Sequence, residues 1–195
     1  MIAGHFGFAA AVKSRAHQVP LWALMLATVW LDIVFVPLFL TGIERIEQVP
    51  GAQGTYGAGL IFADYTHSLL GALVLAVLFG TVAAFAWGRR TAIVLGAVVF
   101  SHWLLDLVVH RADMPLLPAN VGHFPRFGFG LWRVPTAAMV VEFFIVLVGS
   151  YLYWRAARQT VAVGGGSLRR ANLAGALILL FGFTVLVLDV TGAMG

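Results

Sequence analysis

The chain contains no cysteine. Disulfides, Cys-ligated zinc and iron–sulfur clusters are therefore excluded, and any bound metal must be held by imidazole and carboxylate, which favours zinc, manganese, iron or another divalent ion. Charge is also scarce: 10% of the 195 residues are charged and 61% are hydrophobic, with a mean hydropathy of +0.95. A soluble domain with a polar surface could not carry that balance. Apolar stretches long enough to cross roughly 30 Å of hydrocarbon recur along the whole chain and leave no room for a separate soluble domain. Residues 1–195 are expected to form a single integral membrane domain. Its expected fold is an all-α polytopic bundle of about five transmembrane helices plus a short N-terminal half-inserted helix. No internal repeat is visible, which weighs against an inverted-repeat transporter.

The 12 basic and 8 acidic residues leave a formal charge of +4. The basic residues form no groove-sized patch with interleaved aromatics, so nucleic acid is not an expected partner. They sit instead in alternate loops. Lys13, Arg15, Arg89, Arg90, Arg155, Arg158, Arg169 and Arg170 fall on one side, and Arg45, Arg111, Arg126 and Arg133 on the other. Eight against four places the N-terminus in the cytoplasm by the positive-inside rule. The small, loop-poor bundle suits a bacterial inner membrane, with membrane lipids as neighbours. Trp22, Trp87, Trp132 and Trp154 near the span ends form an aromatic belt.

Residues 1–14 are too short to span a membrane and shorter than a usual signal peptide with its cleavage site. Spans are expected at about 21–40, 66–87, 91–110, 136–154 and 172–188. An outer loop rich in glycine covers 41–63, with Pro50-Gly51 as a turn signal. A second outer loop, 111–133, contains Pro115, Pro118 and Pro125 and should lie irregularly over the bundle. Gly164-Gly165-Gly166-Ser167 reads as a linker.

Few polar residues interrupt these spans, and those that do are informative because ionisable groups in a membrane are costly. His102, Asp106 and His110 fall at i, i+4 and i+8, so three metal-ligand side chains share one helical face. One helix cannot complete such a site. A buried hydrogen-bonded network stapling helices together is the alternative reading. Asp32, in mid-span, should bind a cation or carry a proton. Glu142 is open to ligand, general-base or structural roles. His67 suits an interfacial cap as readily as a ligand. His17 and His123 have no comparable geometry. Counting at about 1.5 Å per residue from the cytoplasmic turns puts His5, Asp32, His102 and Glu142 roughly 15 to 20 Å deep. Asp106, His110 and His67 continue this column toward the outer side, where the site should open. Arg111, Arg126 and Arg133 stand there, suited either to an anionic substrate such as a phosphate or to lipid head groups.

Gly4-His5-Phe6, Leu31-Asp32, Thr66-His67-Ser68-Leu69-Leu70 and Ser101-His102-Trp-Leu-Leu-Asp106 together resemble the YdjM-like inner-membrane metal-dependent hydrolases, over about the first 115 residues. That family is similar to zinc-dependent phospholipase C and the zinc nucleases. The resemblance implies His5, Asp32, His67, His102, Asp106 and His110 as metal ligands. The soluble relatives close their cluster with a later His-x3-Glu pair, whereas Ala138 stands four residues before Glu142 here. That departure favours one or two ions over three. The expected function is hydrolysis of a phosphoester or lipid-linked substrate by a metal-activated water, with Asp32 or Glu142 as proton acceptor. The rivals are divalent-metal or proton transport, for which the Ala-, Val- and Leu-rich inner span ends are unfavourable, and a structural polar network. Substrate identity and oligomeric state are not readable.

Overall fold

A computed structural model describes residues 1–51 and 56–193, so residues 52–55 of the first expected outer loop lie outside it. Six helices dominate: α1 (Ile2–Lys13), α2 (Leu21–Thr28), α3 (Trp30–Leu40), α4 (Leu69–Val109), α5 (Pro135–Gly164) and α6 (Leu168–Val190). Three of them, α4, α5 and α6, are long and apolar enough to cross a membrane. The α2–α3 pair, bent by 45° at Val29, makes a fourth candidate span. Large apolar side chains such as Phe85, Val82 and Leu40 point outward, as lipid contact requires.

The 41 residues of α4 are not one straight rod. Gly88 has φ +76° and ψ 170°, a conformation outside the helical region that glycine adopts without a Cβ penalty. A Cβ at Gly80 would lie 3.2 Å from the Ala92 carbonyl oxygen, and one at Gly96 would lie 3.1 Å from that of Ala76. In a straight helix, residues 12 apart would be about 18 Å apart. The two arms therefore fold back as an antiparallel pair, closely packed because Ala76, Gly80, Ala92 and Gly96 are small. The first arm begins at Leu69, three residues later than expected, because Ser68 caps it by accepting the Gly71 N–H at 3.0 Å.

α1 runs between α5 and α2 and also touches α6. Met1, just before it, packs with Val109, Trp132 and Ala138, at the opposite end of the bundle from Gly88. Its last residue, Lys13, binds the His17 and Val19 carbonyls at 2.7 Å. Gly7 and Gly149 allow α1 to meet α5 backbone to backbone: a Cβ on Gly7 would sit 2.7 Å from the Ile145 oxygen, and one on Gly149 would overlap the Gly7 carbonyl.

The expected all-α fold needs one correction. β1 (Arg45–Gln48) and β2 (Gly59–Phe62) form a two-stranded antiparallel sheet between α3 and α4, with Arg45 opposite Phe62. Four-residue strands this short carry too little alternation to be read from sequence. The Pro-rich loop crosses above the bundle. It pairs Met114 with Phe127, and the Pro115 and Leu116 carbonyls accept the Leu69 and Leu70 N–H groups at the start of α4.

Candidate metal centre

The break between α2 and α3 is the first device that shapes the site. Val29 leaves the helical region (φ −114°, ψ 15°), and the Thr28 carbonyl turns to the Nδ1 of His102 at 2.7 Å. A carbonyl has no proton to give, so His102 Nδ1–H must donate, and the Nε2 of a neutral ring then carries a bare lone pair.

His67 is set the same way from another direction. The fully buried Glu44 accepts the Tyr65 and Thr66 N–H groups, each at 2.8 Å, and the Thr66 hydroxyl bonds its Oε2 at 2.9 Å. With the hydroxyl proton directed to that carboxylate, Thr66 Oγ1 can only accept from His67 Nδ1, 2.9 Å away. The Trp103 Nε1–H donates to the His67 carbonyl at 2.8 Å, tying the turn before α4 to its second arm. His110 completes the pattern, with Nδ1 3.0 Å from Asp113 Oδ1 and its ring against Trp132 at 4.5 Å between centroids.

Three bare Nε2 atoms thus face one carboxylate oxygen. Asp106 Oδ2 lies 3.0 Å from His102, 3.6 Å from His67 and 3.6 Å from His110. Asp32 Oδ1 lies 3.5 Å from both His67 and His102, and the His67 and His102 Nε2 atoms are 3.3 Å apart. Lone pairs and anionic oxygens cannot be packed this closely without positive charge among them, either added ring protons or a cation. His5 differs. Its Nε2 is 3.1 Å from Asp106 Oδ1, its ring stacks on His102 at 3.8 Å, and its Nδ1 has no partner among the described residues.

Two groups have a donor set suited to a divalent ion, His5–His102–Asp106 and Asp32–His67–His102, each with its ligand atoms within 4.8 Å of one another. They share His102, whose Nδ1 is taken by the Thr28 carbonyl, so its single Nε2 lone pair can serve one ion at a time. His5, His67, His102, Asp106 and His110 are all buried, whereas the Asp32 side chain is 37% exposed. The cluster is therefore approached past Asp32.

Several expected site residues lie elsewhere. Glu142 is turned to α1, where its Oε2 accepts the Gly4 N–H at 2.9 Å. A carboxylate there satisfies an orphan donor at the start of α1 and suits the positive end of the helix dipole, so Glu142 holds the helix that carries His5. Arg126 is engaged by Asp64 through two bonds of 2.6 and 2.9 Å and by the Asp113 carbonyl. Its bonds to Asp64 hold the guanidinium above its ordinary pKa. Arg111 is directed to the Gly57 and Trp132 carbonyls at 3.4 Å, and Arg133 is exposed beside Gly130. None of the three joins the cluster. The residues to which sequence reasoning gave no role in orienting imidazoles are Thr28, Glu44, Thr66 and Asp113. Of these, Asp113 alone carried a signal, three residues after His110.

Thr66→Val removes the hydroxyl that fixes the His67 tautomer and is expected to weaken any divalent-metal binding at the cluster about 10- to 100-fold. Thr66→Ser should restore it. Competition with a chromophoric chelator measures both. No family model, curated protein or solved structure matches the chain.

Proposed function

We propose that this protein is a membrane-embedded metal-dependent hydrolase, similar to the YdjM-like family, that cleaves a phosphoester or lipid-linked substrate. The observation that carries the proposal is the convergence of three Nε2 lone pairs on the buried Asp106 Oδ2, with the Asp32 carboxylate beside two of them. Zinc is the ion that this imidazole and carboxylate set suits best, with manganese and iron as close seconds. When bound, such an ion supplies Lewis acidity and lowers the pKa of a water toward neutrality. The chain's own groups divide the remaining work. Asp106, committed through both oxygens to histidines, fixes the ligand directions. Asp32, the accessible carboxylate, is placed to accept a proton from water.

Asp32 lies on α3, where Ile33, Val36, Phe39 and Leu40 are exposed. An approach flanked by apolar side chains favours an amphiphilic substrate arriving from the membrane. Counting the α2–α3 pair as one span and the arms of α4 as two, we infer five crossings in a bacterial inner membrane. The Gly88 end then faces the cytoplasm and the Pro-rich loop faces outward. Transport fits less well, because Leu24, Leu95, Val98 and Val99, on the Gly88 side of His102, are buried and apolar. The test is turnover by zinc- or manganese-loaded protein across a panel of phosphodiesters and phospholipids. Activity lost on chelation and on Asp32→Asn supports the reading. Absence of turnover in fully metal-loaded protein overturns it.

A further inference from the structure

A second polar feature lies far from the histidines, at the Gly88 end of the bundle. Between the end of α1, the second half of α5 and the start of α6 is an open cavity of about 420 Å³, with His17, Thr160, Ser167 and Arg170 at its exposed rim. Its polar lining is Lys13, His17, Tyr153, Thr160, Ser167 and Arg170, and no carboxylate is among its lining residues. The volume lies within the range of small-ligand sites, about 300–1,000 Å³. The Trp22 and Trp87 rings meet at 5.5 Å beside this end of the bundle, where aromatic side chains mark the level of lipid head groups.

The donors are arranged rather than scattered. Lys13 Nζ is held by the His17 and Val19 carbonyls at 2.7 Å, which uses two of its three N–H bonds and leaves one. Arg170 stands in the first turn of α6, where Ser167 Oγ already accepts its backbone N–H, so its guanidinium is not needed for the cap. Two cations with hydroxyls beside them and no internal counter-charge form a site for an anion bearing several acceptor oxygens. The apolar part of the lining, Ala156, Ala157 and Val161, suits the glycerol or upper acyl region of a lipid better than a fully hydrated ion.

We propose that this cavity binds a phosphate-bearing anion, with the head group of an anionic phospholipid as its membrane source and free phosphate as its soluble one. The site is independent of the histidine cluster and does not require the hydrolase reading. Native mass spectrometry of delipidated protein tests it, with phosphatidylglycerol, phosphatidylcholine and inorganic phosphate as probes. Phosphatidylglycerol should be retained more strongly than phosphatidylcholine, and Arg170→Gln should lower that retention about fivefold, the equivalent of one basic residue at a lipid surface. Arg90→Gln, at the other turn on this end, should leave it unchanged. Arg170-dependent binding of inorganic phosphate without lipid selectivity supports the anion site and assigns its source to solution. Equal retention of the two lipids with no Arg170-dependent phosphate binding overturns the proposal. So does an equal loss in Arg90→Gln and Arg170→Gln, which would reduce the effect to general surface charge.

Discussion

His102→Ala is expected to empty the metal centre. Elemental analysis of detergent-purified protein, prepared without a metal-affinity tag, should find near-stoichiometric zinc, manganese or iron in the wild type and less than about a tenth of that in the variant. The effect should exceed the roughly 10- to 100-fold cost of losing a group that only orients a ligand, because His102 belongs to both candidate ligand groups. It also separates the metal reading from a structural network. Removing the ring leaves the Thr28 carbonyl and Asp106 Oδ2 without the partner they have now, so a loss of stability of about 3–5 kcal/mol accompanies either reading. Only the metal reading also predicts that added zinc raises the melting temperature of the wild type and not of the variant. If the wild type takes up no metal even after loading, the cluster is a proton-holding network and the hydrolase proposal falls with it.

Gly149→Leu should be nearly as damaging, although Gly149 is not among the candidate ligands. Leucine is a better helix former than glycine, so propensity alone would stabilise α5. The side chain nevertheless has no space, because its first carbon would overlap the Gly7 carbonyl. Overpacking usually costs about 1–3 kcal/mol, and here the obstacle is a backbone that cannot change rotamer. The helix that must yield is α1, and His5 is on it. Thermal stability and zinc occupancy should therefore fall together. Gly164→Ala is the control, since a Cβ there meets nothing within 4 Å and should change neither quantity.

The sequence made some of this arrangement visible and hid the rest for identifiable reasons. His102, Asp106 and His110 were legible because a helix fixes the relation between residues four apart. Depth counting suggested that His5 and Asp32 lie at the same level as His102, and the structure puts His5 3.1 Å from Asp106 and Asp32 3.5 Å from His102. The same arithmetic placed Glu142 with them. Depth cannot say which way a side chain points, and Glu142 points at the α1 backbone. The hydrogen bonds that set the tautomers were out of reach. Glu44 acts on His67 through Thr66 from 22 residues upstream of that threonine, and the Thr28 carbonyl is available only because the helix breaks there. The role of Arg126 was hidden because a basic residue beside a polar site looks alike in sequence whether it awaits a ligand or is already paired with Asp64.

The turn at Gly88 bears on how the molecule is assembled. The two arms of α4 are joined with almost no intervening chain and pack through residues only 12 to 20 positions apart, so they can associate as soon as both have left the ribosome. His67, His102 and Asp106 all belong to this hairpin or the turn that opens it. Contacts of short sequence separation form early because little chain entropy is lost in closing them. The hairpin can therefore serve as a template onto which the earlier-made α1 and α2–α3 segments dock, bringing His5 and Asp32 to three candidate ligands already in place.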